Sequence, residues 1–282
     1  MTELVVRKLL IDLSVPFPGR WCGGDAFRSA FFSALSMSFP VGEQYFIDSV
    51  RAGLKALSPE QAAPLAREVQ GFVGQEATHR RIHTLFNDQL AALGYTNVLE
   101  QRVRRRLQRH AHFEVRIHVA ATAATEHITA MFADWLYRHP EVLQDCEPRL
   151  QTLWMWHAAE EAEHCSTAFD IYRALDGSER WRGRMLRYVT LHFALDVLRQ
   201  TVRNLWHDRS LFQWSTWRSG AQLLFARDGM VRGNARMWRA YLRADFHPRQ
   251  QDTSHSRQWL QDNSARYSIV GQPSATSHPH HL

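Results

Sequence analysis

Two copies of a Glu-x-x-His motif, in separate parts of the chain, could together hold metal ions. Glu76 precedes His79 in the first copy, and Glu161 precedes His164 in the second. Residues three positions apart in an α-helix lie on one face, one turn from each other, so both side chains of a motif can reach the same ion. One such motif is weak evidence, whereas two indicate a metal site.

Two further glutamates complete a repeating pattern. Glu43 precedes the first motif, and Glu126 precedes the second by nearly the same number of residues. Each half of the pattern therefore has one helix with a single Glu and a second helix with Glu-x-x-His. This is the ligand arrangement of ferritin-like four-helix bundles that bind two iron or two manganese ions. The repeat predicts a dinuclear site.

Two more histidines leave part of the ligand set open. His157 lies two helical turns before His164 on the same face, and it either binds the metal or contacts a ligand. His83 lies one turn after His79, and we expect it to support a ligand rather than to bind the metal.

Glu160 competes with Glu161 for the role of ligand. Glu160 stands three residues after His157 and four before His164, so helical spacing alone does not exclude it. The repeat with Glu76 selects Glu161.

The predicted ligands stand inside apolar stripes of their helices. Phe72, Phe86, Leu150 and Trp154 recur around them at helical spacing. A carboxylate in an apolar core is costly unless it is paired or binds a metal, and we find no arginine on these stripes to pair with it. Four carboxylates and two imidazoles, with no thiolate, favour two metal ions, with iron preferred and manganese as the alternative.

The composition is that of an ordinary folded protein. The chain of 282 residues is 45% hydrophobic and 22% charged, with 14 Gly and 10 Pro. These values exclude a disordered chain and argue against a turn-rich all-β chain, so we expect an all-α fold. No apolar run reaches the roughly 18 residues of a spanning helix. The N-terminus does not resemble a secretory signal, so we expect a cytoplasmic protein whose cysteines are reduced.

Four long helices are predicted from the periodicity of apolar residues. They cover residues 26–57, 59–93, 100–138 and 147–175. Pro40 and Gly42 are expected to bend or interrupt the first helix. Long helices joined by short loops are typical of an antiparallel four-helix bundle, and together with the ligand pattern they predict a ferritin-like one.

The predicted organisation of the chain has four parts. They are an irregular N-terminal segment (1–25), the four-helix bundle with the metal site (26–180), additional C-terminal helices packed on the bundle (181–247) and a disordered polar tail (248–282).

The helices after residue 181 are rich in arginine and tryptophan, and the whole chain has a formal net charge of +6. Nucleic acid is not expected as a partner because the chain lacks its usual binding motifs, while peripheral contact with an anionic membrane stays open. Leu191, Leu195, Leu198 and Val202 recur at helical spacing, and we expect them to face the bundle and form one wall of a pocket.

Five stretches of the sequence carry a resemblance to a known family. They are FSALSMSFPVGEQYF (32–46), GQEATHRRIH (74–83), ATEHITAMF (124–132), WHAAEEAEHCSTAFD (156–170) and YLRADFHP (241–248). Together they resemble the bacterial ferritin-like family described as predicted metal-dependent hydrolases. The resemblance covers about residues 30–250, and the stretch 156–170 is the most specific. It implies a metal site built from Glu43, Glu76, His79, Glu126, Glu161 and His164.

The leading functional hypothesis is a di-iron oxidase or oxygenase that uses O2 and an electron donor to oxidise a small organic substrate. Four carboxylates weaken the Lewis acidity of the metal ions and stabilise the ferric state, which favours redox chemistry over hydrolysis. Glu43, Glu76, Glu126 and Glu161 are therefore also the candidate catalytic residues. The alternatives are hydrolysis by a metal-bound hydroxide and non-enzymatic iron binding.

Overall fold

The protein is mostly helical, as expected for an all-α fold. The computed structural model describes residues 4–271, and α-helices together with three short 3-10 helices cover 72% of them. The helices are α1 (Ala26–Lys55), α2 (Pro59–Ala62), α3 (Ala66–Ala92), α4 (Val98–His110), α5 (Val115–Arg138), α6 (Pro148–His164), α7 (Thr167–Ala174), α8 (Glu179–His207), α9 (Trp214–Phe225), α10 (Met230–Ala240) and α11 (Ser254–Asp262). Two short strands, β1 (Arg7–Leu9) and β2 (Tyr267–Ile269), pair antiparallel.

Helix α1 continues through Pro40, where an interruption was expected. Proline has no N–H to donate to the carbonyl of Ser36, four residues earlier. The side-chain amide of Asn87, on α3, donates to that carbonyl instead, over 3.0 Å. The missing helical hydrogen bond is thus replaced by a contact between two helices.

The other three predicted helices are divided into shorter ones. The predicted helix 100–138 ends at His110 and restarts at Val115, and the predicted helix 147–175 is interrupted at Cys165 and Ser166. Neither glycine nor proline marks these two breaks, so apolar periodicity does not reveal them. Because of the first break, α4 is a separate helix from α5, and it packs against α1 and α8.

Two apolar clusters form the core, and each contacts the predicted metal ligands. The first cluster contains Phe86 and Trp154, and the ring of Trp154 lies 5.5 Å from that of His83. The second contains Phe72, whose ring lies 5.0 Å from that of His164. Helix α1 packs against α3, α5 and α8, and α5 packs against α6 and α7.

The predicted disordered tail is wrong for residues 248–271. Helix α11 packs on α6, with Leu260 only 4% exposed, and β2 pairs with β1 so that Arg7 stands opposite Ile269. The polar composition of this segment hides the few apolar side chains that anchor it. The rest of the predicted tail, residues 272–282, lies outside the described residues.

The expectation of reduced cysteines is also wrong for Cys22 and Cys146. They form a disulfide between the N-terminal segment and the loop before α6, at an isolated antiparallel bridge. Cys165 is buried and free.

Helix α8 packs with a different face from the predicted one. Leu191, Leu195 and Leu198 are all exposed. The buried face carries Leu186, Val197 and Leu205 together with polar residues. Gln200 accepts hydrogen bonds from the first backbone N–H groups of α4, and Asn204 donates to the carbonyl of Ala30. Because these polar residues are satisfied by specific partners, hydrophobicity alone selects the wrong face.

Within residues 4–271, none of the helices combines the length and apolar character needed to cross a lipid bilayer.

A chain ending at Gln251 is expected to be less stable than one ending at Gly271. The shorter chain loses α11 and β2, so the apolar contacts of Leu260 and Tyr267 with the first core cluster disappear. Full burial of one large apolar side chain contributes about 1.5–3 kcal/mol, so we expect a loss of roughly 3 kcal/mol or more. Urea unfolding of both chains measures the difference, and equal midpoints would contradict the packing of α11 on α6.

Candidate metal centre

Every metal ligand predicted from the sequence lies in one buried cluster between four helices. Each of these residues is at most 5% exposed. They are Glu43 on α1, Glu76 and His79 on α3, Glu126 on α5, and His157, Glu161 and His164 on α6. Their role as metal ligands stays a prediction. His83 on α3, which the sequence predicts to support a ligand, is buried beside them.

The ligand atoms of this cluster form overlapping groups that could hold metal ions. In each group, three nitrogen or oxygen atoms lie within 4.8 Å of one another. The groups are Glu43–His83–His157, His79–His157–Glu161, Glu43–Glu76–His79 and Glu76–Glu161–His164. Even without His83 these groups contain six residues, so the cluster has enough donors for two ions.

Several oxygens in the cluster have no partner among the described residues. Both carboxylate oxygens of Glu43, Glu76 and Glu126 are buried without a hydrogen bond. His164 Nε2 lies 3.0 Å from Glu76 Oε1 and 3.2 Å from Glu126 Oε2, outside hydrogen-bond geometry. Unpaired buried carboxylates cost several kcal/mol each. The residues present therefore fit a metal site, because bound cations would satisfy these oxygens.

A chain of hydrogen bonds determines which nitrogen of His157 faces the carboxylates. The amide of Asn87 donates to the carbonyl of Ser36, so Asn87 Oδ1 accepts from the Ser36 hydroxyl over 2.9 Å. Ser36 Oγ then accepts from His83 Nδ1 over 2.8 Å, and His83 Nε2 accepts from His157 Nδ1 over 2.7 Å. In a neutral His157 ring, the Nε2 lone pair faces Glu161 Oε1 at 2.8 Å. Two acceptors at this distance require a proton or a metal ion between them.

Gln75, which the sequence reasoning missed, orients His164 in a similar way. Gln75 Nε2 donates to Glu163 over 2.8 Å, which leaves Gln75 Oε1 to accept from His164 Nδ1 over 2.9 Å. The other ring nitrogen of His164 is thereby directed at Glu76 and Glu126. Such supporting hydrogen bonds fix the tautomer and orientation of histidines that bind metals.

An arginine also reaches the edge of the cluster, although none stands on the ligand stripes. Arg7, 7% exposed, donates to Glu160 over 3.1 Å and to Glu163 over 2.7 and 3.0 Å. Glu160 also bonds His79 Nε2 over 2.9 Å, which leaves His79 Nδ1 free to face Glu161. Glu161 therefore belongs to the ligand groups, whereas Glu160 and Glu163 hold Arg7.

Two glycines on α3 allow the N-terminal segment to bring Arg7 to this position. A Cβ at Gly74 would collide with Val6, and one at Gly71 would lie 2.5 Å from the Cβ of Leu4. Glycines one turn apart on a predicted helix are the sequence signal for such a close approach, but they do not identify the partner segment.

The electrostatics of the cluster are unfavourable without a cation. Burial raises the pKa of Glu43 and Glu76 well above the usual value, and repulsion from neighbouring glutamates adds to the shift. Burial also lowers the pKa of His79 and His83 well below the usual value. Burial thus disfavours the charged forms of both residue types.

The chain matches a model of a protein family. The family model described as predicted metal-dependent hydrolase matches residues 5–252. Neither the curated proteins nor the solved structures contain a match to this chain.

The family match overturns the prediction of a di-iron oxidase or oxygenase, because the family is described by hydrolysis. The physical argument for oxidation was also incomplete. It counted two imidazoles against four carboxylates, whereas His157 brings the number of imidazoles that face the carboxylates to three, and His83 supports His157 through a hydrogen bond. Neutral imidazoles reduce the Lewis acidity of a metal ion less than carboxylates do. The argument that the site is too weakly acidic for hydrolysis therefore no longer holds.

Replacing Gln75 with leucine is expected to weaken metal binding by about 10–100-fold, the usual cost of losing a group that orients a metal-binding histidine. The matched control is Gln89→Leu on the same helix, because Gln89 donates to the carbonyl of Leu13, away from the cluster. Competition with a chelator measures both affinities, and circular dichroism checks the fold. Equal affinities for the two variants would contradict the assigned role of Gln75.

Proposed function

The chain belongs to the family of predicted metal-dependent hydrolases, and on that premise we propose that its buried Glu and His cluster binds two metal ions and hydrolyses a small organic substrate. The observation that carries this proposal is the set of buried carboxylate oxygens without hydrogen-bond partners, among histidines whose free nitrogens face them.

Two groups of residues would hold the two ions. His79, His157 and Glu161 form one group, and Glu76, Glu161 and His164 form the other, with Glu161 common to both. His83 supports His157 and binds no ion, because its Nε2 accepts the hydrogen bond from His157 Nδ1. Glu43 lies beside the groups, since it also comes within ligand distance of Glu76 and His79. Glu126 is the remaining carboxylate, beside His164.

Oxygen and imidazole donors without thiolate favour iron(II) or manganese(II). When bound, such ions act as Lewis acids and lower the pKa of water, so that hydroxide is available near neutral pH.

The protein's own residues prepare the site for this chemistry. The hydrogen bonds from Gln75 and through His83 hold the imidazoles of His164 and His157 in one orientation. The aromatic rings of Phe72 and Trp154 pack against the cluster and exclude bulk water. Rigid ligands and a dry surrounding strengthen the interaction of charges with a reacting group.

We further propose that α1, α3, α5 and α6 form a ferritin-like antiparallel four-helix bundle, with α8 to α10 as the additional helices. Support comes from the contacts of α1 with α3 and α5, and of α6 with α3 and α5. Each of these four helices also carries at least one of the clustered glutamates. The bundle would then occupy about residues 26–180 and the addition about 181–247.

The test begins with a chain that ends at Gly271, because His278, His280 and His281 could bind metal adventitiously. After saturation with iron, manganese or zinc, elemental analysis is expected to give two ions per chain. Glu76→Gln should lose metal and reduce the hydrolysis of p-nitrophenyl esters or phosphoesters by about 100-fold or more.

The matched control is Glu68→Gln on the same helix. Glu68 is also buried, but it pairs with Arg249, Ser166 and Thr167 outside the cluster. This variant should keep both metal and activity. One ion or fewer per chain would contradict the dinuclear site, and the absence of any metal-dependent hydrolysis would contradict the proposed reaction.

A further inference from the structure

An apolar cavity of about 650 Å³ lies between α1, α4, α5 and α8. This volume is within the range of sites for small organic ligands, about 300–1,000 Å³. Its apolar lining includes Phe39, Phe46, Leu99, Val103, Met185 and Phe193.

One layer of side chains separates this cavity from the metal centre. The ring of Phe39 lines the cavity on one side and, on the other, lies 4.6 Å from the ring of His83 and 4.7 Å from that of His157. Gly42 and Thr125 also line the cavity, and each stands next to a clustered glutamate in the sequence. The end of the cavity at Phe39 is therefore adjacent to the proposed metal ligands.

The cavity is suited to an apolar guest. Asp196 is the only carboxylate among the described lining residues, and it is paired with Arg102 and Arg106. The hydroxyl of Tyr45 is bonded to His118 Nδ1 over 3.0 Å. These polar groups are satisfied by the protein, so they do not demand a polar ligand.

We propose that this cavity binds the apolar part of the substrate, an amphiphile with an alkyl or aryl chain whose cleavable bond reaches the metal centre past Phe39. The placement of the substrate's alkyl or aryl chain in the cavity rests on the proposed hydrolytic function, because that function places the reacting bond at the metal centre.

The test uses the fluorescent fatty acid 11-(dansylamino)undecanoate as a probe of the cavity. Ala121→Phe, on α5, fills the cavity, and Val103→Phe fills it from α4. Each is expected to weaken probe binding about tenfold, the effect of roughly 1.4 kcal/mol, while metal content stays unchanged. The control is Ala221→Phe, at an exposed position of α9 that does not line the cavity.

The outcomes separate this proposal from the proposed function. Hydrolysis of a long-chain p-nitrophenyl ester should fall in Ala121→Phe, while hydrolysis of the acetate ester should persist. Probe binding that is unchanged in both filling variants would overturn the cavity proposal. Loss of probe binding in a protein that hydrolyses no ester would instead reject the hydrolytic function and leave the cavity as a binding site.

A second observation concerns the outer face of α8. Six large side chains recur there at three- and four-residue steps or multiples of them, and each is between 37% and 65% exposed. They are Trp181, Tyr188, Leu191, Leu195, Leu198 and Trp206, which we call the α8 stripe. Phe212 and Trp214, just beyond the helix, are 86% and 81% exposed and extend the apolar surface.

The charges around the α8 stripe are nearly all positive. Arg184, Arg187, Arg199 and Arg203 are exposed on the same helix. The acidic residue between positions 181 and 207 is Asp196, which is buried and already paired with two arginines of α4. A second copy of this face would therefore place arginines against arginines, whereas anionic lipid headgroups would neutralise them.

From this charge pattern we infer that the α8 stripe docks on an anionic lipid surface. Apolar side chains enter the boundary of the acyl chains, tryptophan and tyrosine stay at headgroup depth, and arginines bind the headgroups. Trp181 and Tyr188 also line the cavity, so its mouth opens on the docking face.

Co-sedimentation with vesicles tests the docking face. The protein should bind vesicles that contain phosphatidylglycerol, more weakly at high salt, and should not bind vesicles of phosphatidylcholine alone. The triple variant Leu191→Ser, Leu195→Ser, Leu198→Ser is expected to lose about tenfold in binding. The control is Leu85→Ser with Leu93→Ser, because both leucines are exposed near the end of α3.

Light scattering measures the oligomeric state and tests whether the stripe is instead an interface between two copies of the chain. If the native chain is a dimer that the triple variant converts to a monomer, and neither binds vesicles, the stripe is an interface between two copies and the proposal is overturned. Binding to an oligonucleotide in place of vesicles would overturn it as well.

Discussion

Four glutamates buried beside one another in an apolar interior impose the constraint on which the rest of this structure depends. Three of them have no hydrogen-bond partner for either carboxylate oxygen among the described residues. Burial and the neighbouring glutamates raise the pKa of these three carboxyl groups and disfavour their charged forms. At Glu161, contact with His164 and His157 outweighs burial and lowers the pKa. Bound cations would offset both the repulsion between the carboxylates and the cost of burying them. The cluster therefore fits a metal site.

Residues that contact the proposed ligands keep the cluster ordered. Arg7 pairs with the two neighbouring glutamates that do not join the ligand groups, and Gln75 links one of these glutamates to His164. Arg7 stands on β1, which pairs with β2 near the other end of the described chain. The two terminal segments thus support the same side of the cluster, because a strand as short as β1 needs a partner to be held in place.

The apolar cavity and the outer face of α8 both lie close to the cluster or to each other. Three imidazoles among four carboxylates fit a centre that keeps enough Lewis acidity for hydrolysis, in agreement with the family. The apolar cavity approaches this centre through Phe39, and it shares Trp181 and Tyr188 with the outer face of α8. A path from a lipid surface through the cavity to the metal centre would be suited to an amphiphilic substrate.

The sequence by itself determined the helical fold and the residues of the cluster, because helical spacing places Glu76 with His79 and Glu161 with His164 on single faces. Only the tertiary structure decided which distant segments meet: Arg7 beside Glu160, Asn87 beneath Pro40, and the buried face of α8. These contacts join residues far apart in the chain, where local periodicity carries no information. The balance of imidazoles and carboxylates was likewise a tertiary property, since spacing left His157 open and only packing brought its Nε2 to the carboxylates.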